Sequence, residues 1–565
     1  MNKKQIMEQY RLWMKEAQAD IDIAEELQNI ARDEAKIEDA FYRDLGFGTG
    51  GLRGVIGAGT NRVNIYTVAK ASQGVADYVN KHFSGERKIA IGYDSRVKSD
   101  LFARMASGVF AANGINVLMY EEIIPTPCLS FAVRRLNCAA GIMITASHNP
   151  AEYNGYKVYD ADGCQITIKM AKEILVEIEK LDIFKEVRSV DFDEGIRAGS
   201  IEFISGTIYT EFIEEVKRQS MLGSSQSSLD KASTIVYTPL NGTGLKPVLR
   251  TLTEMGYTNV TVVKEQEEPD GHFPTCPQPN PENVQAMTLG IEYAKKNHAG
   301  LLLATDPDCD RIGIAVKNKD GEYVLLSGNE TGVLLLDYIC SQHKKRGTMP
   351  TDPVMIKTIV TTDMAERIAA HFGVRTINTL TGFKFIGEQI GLLESEGKSS
   401  SYIFGFEESC GYLSGAYVRD KDAVGGALLI CEMFSYYKAK GVTLLQRLEE
   451  LYQRFGFGLN TLYSFEFQGE TGSKNMQRIM ELFRREIHCL GGKNVLKRLD
   501  YAKGVDGLPK SDVLKFVLDG SCSVVVRPSG TEPKLKVYTF VSADSWEEAT
   551  RKEEEIAKSL KRYIV

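Results

Sequence analysis

The chain has 565 residues, 43% of them hydrophobic and 25% charged, with a formal net charge of −7. That length exceeds what one hydrophobic core organises and predicts about three to four domains of an ordinary soluble globular protein. The negative balance argues against a nucleic-acid partner, yet it leaves room for a small positive pocket that takes an anionic metabolite.

Met1-Asn2-Lys3-Lys4-Gln5-Ile6 carries two lysines with no apolar stretch behind them, so no signal peptide is expected. No run of about 18 apolar residues predicts a membrane span. Ten scattered cysteines, without a CxxC pair, point to reduced thiols in a cytoplasmic protein. Charge-rich helical spacing over residues 7–40 predicts an N-terminal arm, followed by the glycine-rich FGTGGLRG at 47–54. Strands are then predicted at Lys88–Tyr93, Ile115–Tyr120 and Gly141–Ile144, with helices over Asp100–Ala112 and Leu129–Leu136 between them. This βαβ rhythm predicts a mostly parallel α/β sheet. The polar Ser220–Ser228 reads as a surface loop near the start of a second unit, with strands at Thr234–Tyr237, Val260–Val263 and Leu301–Ala304 and a helix over Gly244–Met255. A third unit has Val354–Ile359, Ala365–Phe372 and Tyr402–Phe404 as strand, helix and strand. The last unit differs: strands at Leu459–Phe467, Ser523–Val526 and Leu535–Phe540 with helices over 474–488 and 545–562 predict an α+β module. The expected domains are 1–205, 206–324, 325–450 and 451–565.

In open α/β sheets ligands collect beyond the C-terminal ends of strands, which directs attention to four loops. The first, Thr145-Ala146-Ser147-His148-Asn149-Pro150, ends a buried strand by presenting a serine beside a histidine, and Pro150 forbids a helix. A nucleophile elbow G-x-S-x-G is absent, because Thr145 and Asn149 stand at the glycine positions. The second, Thr305-Asp306-Pro307-Asp308-Cys309-Asp310-Arg311, crowds alternating carboxylates that suit a hard cation such as Mg²⁺, Mn²⁺ or Ca²⁺. It is not an EF-hand, since Arg311 and Lys317 occupy the positions of the loop glycine and the closing glutamate. The third, Gly405-Phe406-Glu407-Glu408-Ser409-Cys410-Gly411, offers a carboxylate and a hydroxyl to vicinal sugar hydroxyls, or is a solvated turn. The fourth, Arg527-Pro528-Ser529-Gly530-Thr531-Glu532-Pro533-Lys534, combines backbone N–H groups, hydroxyls and cations in an anion nest, and is not a Walker loop. Arg53 and Lys157 are further cations within reach of a phosphate, and Lys384 has aromatic neighbours able to desolvate it and lower its pKa.

Together these loops describe phosphoryl transfer on a sugar phosphate. TASHNP at 145–150, DPDCDR at 306–311, FEESCGY at 406–412 and RPSGTEPK at 527–534 resemble the four signature loops of the α-D-phosphohexomutase family, and FGTGGLRG, TGFK at 381–384 and RDKDA at 419–423 extend the likeness over most of the chain. Within the family the chain is most similar to the bacterial phosphoglucomutase branch, close to phosphopentomutase-type enzymes. Pro307 and Cys309 stand where many members have glycines. The resemblance implies three related α/β domains with mixed sheets plus a smaller C-terminal α+β domain, in a heart-shaped arrangement around a central cleft. It implies Ser147 as phosphoryl carrier, and Mg²⁺ held by Asp306, Asp308, Asp310 and a phosphoryl oxygen on Ser147. His148 and Arg311 would offset charge, Lys384 would act as general acid/base, and Arg53 and Lys157 would contact substrate. Glu407 and Ser409 would grip sugar hydroxyls, while Arg527, Ser529, Gly530 and Thr531 would hold the non-reacting phosphate. The implied reaction interconverts glucose 1-phosphate and glucose 6-phosphate through glucose 1,6-bisphosphate. Mannose, ribose and deoxyribose 1-phosphates fit the same loops, and oligomeric state is not legible. A metal-dependent phosphatase and a non-catalytic sugar-phosphate sensor are the competing classes. Intact Ser147, three aspartates and Lys384 argue against the sensor, and phosphate release separates the phosphatase.

Overall fold

The structure, a computed structural model, describes residues 2–222, 229–467, 469–505, 507–529 and 534–564. Four sheets follow one another along the chain. The first runs in the order Leu52–Val55, Tyr153–Tyr159, Ala140–Ile144, Lys88–Tyr93, Asn116–Met119, Ile201–Phe203. The second runs Tyr323–Leu326, Ile312–Lys317, Leu301–Thr305, Ile235–Thr238, Val260–Val262, and the third Arg375–Thr379, Val354–Thr358, Tyr402–Glu407, Gly411–Leu413.

These three sheets share one arrangement. In each, a buried strand lies parallel to one neighbour and then turns back through a short loop into an antiparallel partner. The strands Ala140–Ile144, Leu301–Thr305 and Tyr402–Glu407 are buried along their whole length, as strands covered on both faces must be. Their apolar runs were readable in the sequence. Their return partners were not all so, because Tyr153–Tyr159 mixes polar and aromatic residues. The sheets are therefore mixed, where the βαβ rhythm alone predicts mostly parallel pairing.

Helix starts follow local chemistry. Asn64 caps Ile65–His82, and Ser327 caps Gly328–Arg346, each closing a reciprocal box with the residue three positions on. The arm consists of three helices, Lys3–Glu16, Ile21–Asn29 and Glu34–Phe41, which bury Trp13 edge-on against Phe41, Tyr66 and Phe184.

One apolar cluster runs through the first three units, from Phe131 and Phe212 to Tyr237 and Phe404, beside separate clusters within the first and second. The fourth sheet is antiparallel throughout, and Phe457–Glu466, Lys534–Ala543, Cys522–Pro528 and Leu514–Leu518 lie successively across it. The helices Gly469–Arg485 and Trp546–Ile564 belong to this unit. Its Val525, Tyr538 and Phe540 pack on Ile359, Val360 and Phe385 of the third. Asp363 ties the same contact, accepting from Lys515 Nζ and Ser523 Oγ at 3.1 Å each.

Candidate active site

Ser147 lies three residues beyond the end of Ala140–Ile144, with a left-handed φ of 53° and 2% exposure. A β-substituted residue adopts that conformation only where its surroundings demand it. Its N–H donates to Thr145 Oγ1 at 2.8 Å. The guanidinium of buried Arg96 donates to its carbonyl at 2.6 Å, to the carbonyls of Pro150 and Tyr153 at 2.8 and 3.0 Å, and to that of Asn149. So held, the Ser147 hydroxyl donates to Asp306 Oδ2 at 2.8 Å and sits 3.2 Å from His148 Nδ1. Burial, with Arg311 and Arg53 nearby, pushes the His148 imidazole well below its usual pKa, so it is neutral and carries a single N–H.

Asp306, Asp308 and Asp310 are at most 1% exposed, and each offers an oxygen within 4.8 Å of the others. Asp306 Oδ1 folds the loop by accepting from the N–H groups of Asp310 and Arg311, which leaves Oδ2 toward the serine. Thr126 Oγ1 and Lys157 Nζ donate to Asp308 Oδ2 at 2.8 and 2.7 Å. Lys421 Nζ lies 3.1 Å from Asp310 and 3.9 Å from Glu407. Burial and the neighbouring carboxylates drive Asp306 well above the usual carboxylate range. Asp308 is held below it by Lys157, against its own burial. Asp308 Oδ1 and Asp310 Oδ1 are buried without a hydrogen-bond partner. Two orphaned carboxylate oxygens in an all-oxygen donor set fit a hard divalent cation.

The remaining predicted residues lie on other elements. Arg53, on Leu52–Val55, donates to Asn149 Oδ1 at 3.2 Å. Arg311 is held charged, since Glu282, Asp310 and Glu407 outweigh its burial. Lys384 opens the helix Phe383–Ser395 and donates to Thr49 Oγ1 of the glycine-rich stretch at 2.6 Å, spanning the first and third units. Burial lowers its pKa from 10.5 to about 8. Glu407 ends its strand 5% exposed, and its pKa is raised chiefly by burial. Ser409 is half-buried on the loop that follows. Arg527, at the end of Cys522–Pro528, lies 3.4 Å from the Tyr538 hydroxyl and close enough to Glu408 to pull on its charge. The Ser529 N–H closes the hairpin on the Lys534 carbonyl at 2.7 Å, and Gly530 and Thr531 lie outside the described residues. A cavity of about 650 Å³ between the third and fourth units, lined by Asp363, Arg367, Asn378 and Lys515 among others, includes none of these residues.

Four stretches match the Phosphoglucomutase/phosphomannomutase family: its alpha/beta/alpha domains I, II and III over residues 44–183, 209–321 and 327–455, and its C-terminal domain over 491–559. A phosphoglucomutase of Staphylococcus saprophyticus is 36% identical over 90% of this chain and 92% of its own. The chain belongs to this family. A Staphylococcus aureus phosphoglucomutase is 34% identical over 96% of this chain and 97% of its own. The crystal structure of Paramecium parafusin, a phosphoglucomutase in its open form, superposes with a TM-score of 0.69 at 18% identity, over 92% of this chain and 95% of that one, which is a likeness of fold.

The phosphohexomutase chain also contains site residues that sequence reasoning passed over. Lys421 stood in the quoted RDKDA without a role, and neither Thr126 nor Arg96 carried a local signal. Only the fold shows that Lys421 and Lys157 flank one acidic triad from two units.

Proposed function

We propose that the protein is a phosphoglucomutase that interconverts glucose 1-phosphate and glucose 6-phosphate through a phosphoserine and a glucose 1,6-bisphosphate intermediate. One observation carries the reading: the Ser147 hydroxyl stands 2.8 Å from Asp306 at the mouth of a buried triple-aspartate loop. Asp306, Asp308 and Asp310, with a phosphoryl oxygen on Ser147, would hold Mg²⁺, which when bound supplies charge neutralisation for the triad and the transferring group.

In the forward half-reaction O6 of glucose 1-phosphate attacks the phosphorus on Ser147. The O6–P bond forms as the Oγ–P bond breaks, and the O6 proton passes to neutral Lys384 Nζ. With a pKa of about 8, a useful fraction of Lys384 is unprotonated near neutrality. His148 and Arg311 donate to the phosphoryl oxygens while charge shifts toward Oγ. The bisphosphate then turns over in the cleft. Oγ attacks the phosphorus at C1, the Oγ–P bond forms as the bond from phosphorus to the C1 oxygen breaks, and the freed C1 oxygen takes the proton back from Lys384. Arg53 and Lys157 steady the reacting end, Glu407 and Ser409 receive hydroxyls presented alike in both orientations, and Arg527, Ser529, Gly530 and Thr531 hold the distant phosphate. The partners are small sugar phosphates. A cytoplasmic setting accompanies the reading, in keeping with ten free thiols of which nine are buried.

The test is conversion of glucose 1-phosphate, with bisphosphate added, against mannose, ribose and deoxyribose 1-phosphates in parallel. Glucose 1-phosphate should be turned over fastest, with little inorganic phosphate released. Ser147→Ala should abolish turnover, and intact-mass mapping should place a single phosphate within residues 141–160. A fully active Ser147→Ala enzyme sinks the assignment, and stoichiometric phosphate release makes the protein a phosphatase.

A further inference from the structure

The second unit contains a strained turn that the proposed mechanism does not use. After the strand Ile235–Thr238, Leu240 and Asn241 both take left-handed φ values, 48° and 56°, although neither is glycine and both are at most 3% exposed. Such strain persists where the surroundings over-determine it and concentrates at functional sites.

The turn grips two things. On one side it grips the metal loop. Gly242 packs so closely that a Cβ there would lie 2.4 Å from Pro307 Cα, and Thr243 donates to the Pro307 carbonyl through both its N–H and its hydroxyl, at 2.8 and 2.9 Å. On the other side it grips the segment running to Phe273. The Asn241 N–H and side-chain amide donate to the carbonyls of Gln266 and Glu268 at 2.9 and 2.8 Å, and the Asn241 carbonyl accepts from the Asp270 N–H at 3.0 Å.

That segment leads directly to Ser147. A Cβ on Gly271 would meet the Val97 nitrogen at 2.4 Å, so the two backbones touch. Phe273, itself left-handed at 46° and 1% exposed, lays its ring 5.0 Å from the Arg96 guanidinium. Arg96 is the residue whose guanidinium takes the carbonyls of Ser147, Asn149, Pro150 and Tyr153. A continuous path therefore runs from Pro307 through the turn, Phe273 and Arg96 to Ser147. Ser147, at one end, is also left-handed, as is Cys309, two residues beyond Pro307 at the other.

We infer that the turn Leu240–Gly244 is a positioning element for phosphoryl transfer. It sets the separation between Ser147 Oγ and the aspartate triad by bracing both loops from one rigid corner of the second unit. The inference rests on the reading of Ser147 as phosphoryl carrier. In-line transfer is sensitive to sub-ångström placement, so a brace acts on turnover rather than on ground-state binding, which involves other residues.

The test compares Gly242→Ala, which pushes the turn off Pro307, with Asn241→Gly, which keeps the left-handed backbone and removes only the amide tether. Met287→Ala, a cavity in the apolar layer of the same unit, is the control for plain destabilisation. Steady-state kinetics with glucose 1-phosphate and added bisphosphate are measured beside melting temperature. Gly242→Ala should lower kcat by about ten-fold or more with KM for glucose 1-phosphate within about two-fold. Asn241→Gly should lower kcat with little change in melting temperature, and Met287→Ala should melt earlier with kcat retained. Arg96→Lys, which reaches fewer of the four carbonyls, should fall between wild type and Arg96→Met in kcat at equal KM. Unchanged kcat in Asn241→Gly, or kcat losses that only track melting temperature as in Met287→Ala, overturns the brace. Should Gly242→Ala fail to fold, Asn241→Gly and the Arg96 pair decide alone. Ser147→Ala measured in parallel separates the two failures. If it stays active the phosphoserine reading itself falls, whereas an inactive Ser147→Ala beside a normal Asn241→Gly removes the brace alone.

Discussion

Replacing Lys384 by methionine should make the protein more stable and nearly inactive. The ammonium is half-buried, and loss of water lowers its pKa from 10.5 to about 8. A shift of that size corresponds to roughly 3 kcal/mol of unfavourable charging, which partial solvent access reduces to about 2 kcal/mol. Methionine avoids that cost and fills much the same space, but gives up the bond from Nζ to Thr49 Oγ1, worth about 1 kcal/mol. A net gain of about 1 kcal/mol is expected at pH 7. Its pH dependence is distinctive. Below pH 8 the lysine is protonated in both folded and unfolded chains, and the wild type carries the whole penalty. Between about 8 and 10.5 the unfolded chain binds the extra proton, so wild-type stability climbs with pH while the variant gains nothing from this site. The advantage of Lys384→Met should therefore shrink through that window and reverse by the value of the lost hydrogen bond. Denaturant unfolding at pH 7, 9 and 10 reads this directly, with kcat expected to drop by about 100-fold or more at every pH. A variant less stable than wild type at pH 7, or an advantage undiminished at pH 10, refutes the argument that burial strains this lysine.

Two other outcomes follow from the same structure. Chelation of divalent cations should abolish turnover yet lower the melting temperature by no more than about 3 °C, because Lys157 and Lys421 already pair with Asp308 and Asp310; cooperative unfolding on adding chelator would contradict that. Trp13→Ala should cost about 3–5 kcal/mol within the N-terminal arm, since the indole is completely buried against Phe41, Tyr66 and Phe184. Limited proteolysis should then cut between the arm helices while kcat stays within about two-fold of wild type, and a parallel loss of turnover would show the arm to be part of the cleft.

Much of the site was legible because its chemistry is concentrated in short loops. Ser147 and the three aspartates announce themselves by type and spacing, directly after apolar strands. Lys384 was legible by its neighbours, and Phe385 does lie beneath the ammonium, 5.4 Å away. Arg96 and Lys421 were illegible as participants for a different reason. Their significance is set by partners 51 to 57 and 111 residues away, and nothing local distinguishes an arginine that takes four carbonyls from one in solvent. The fourth unit was legible only in part. The strand Lys493–Asp500 has no fully buried residue and carries a bulge between Val495 and Lys497, so it shows neither a continuous apolar run nor clean alternation.

The four loops have a common origin that spacing alone does not reveal. Residues 145–152, 306–311, 408–410 and 529–533 each join a strand to its antiparallel neighbour, within four successive sheets. That position alone would set three carboxylates in a nearly dry place, where they repel one another and raise the pKa of Asp306. Two ammonium groups relieve the repulsion, Lys157 from the first unit and Lys421 from the third, against aspartates of the second. The acidic loop is thus not a property of one unit but a charge balance among three. Removing either ammonium while the units stay packed would leave buried charge uncompensated, at a cost of about 3–5 kcal/mol per broken pair. The charge balance that prepares this site for a cation and a phosphoryl group therefore depends on three units already joined by shared apolar packing.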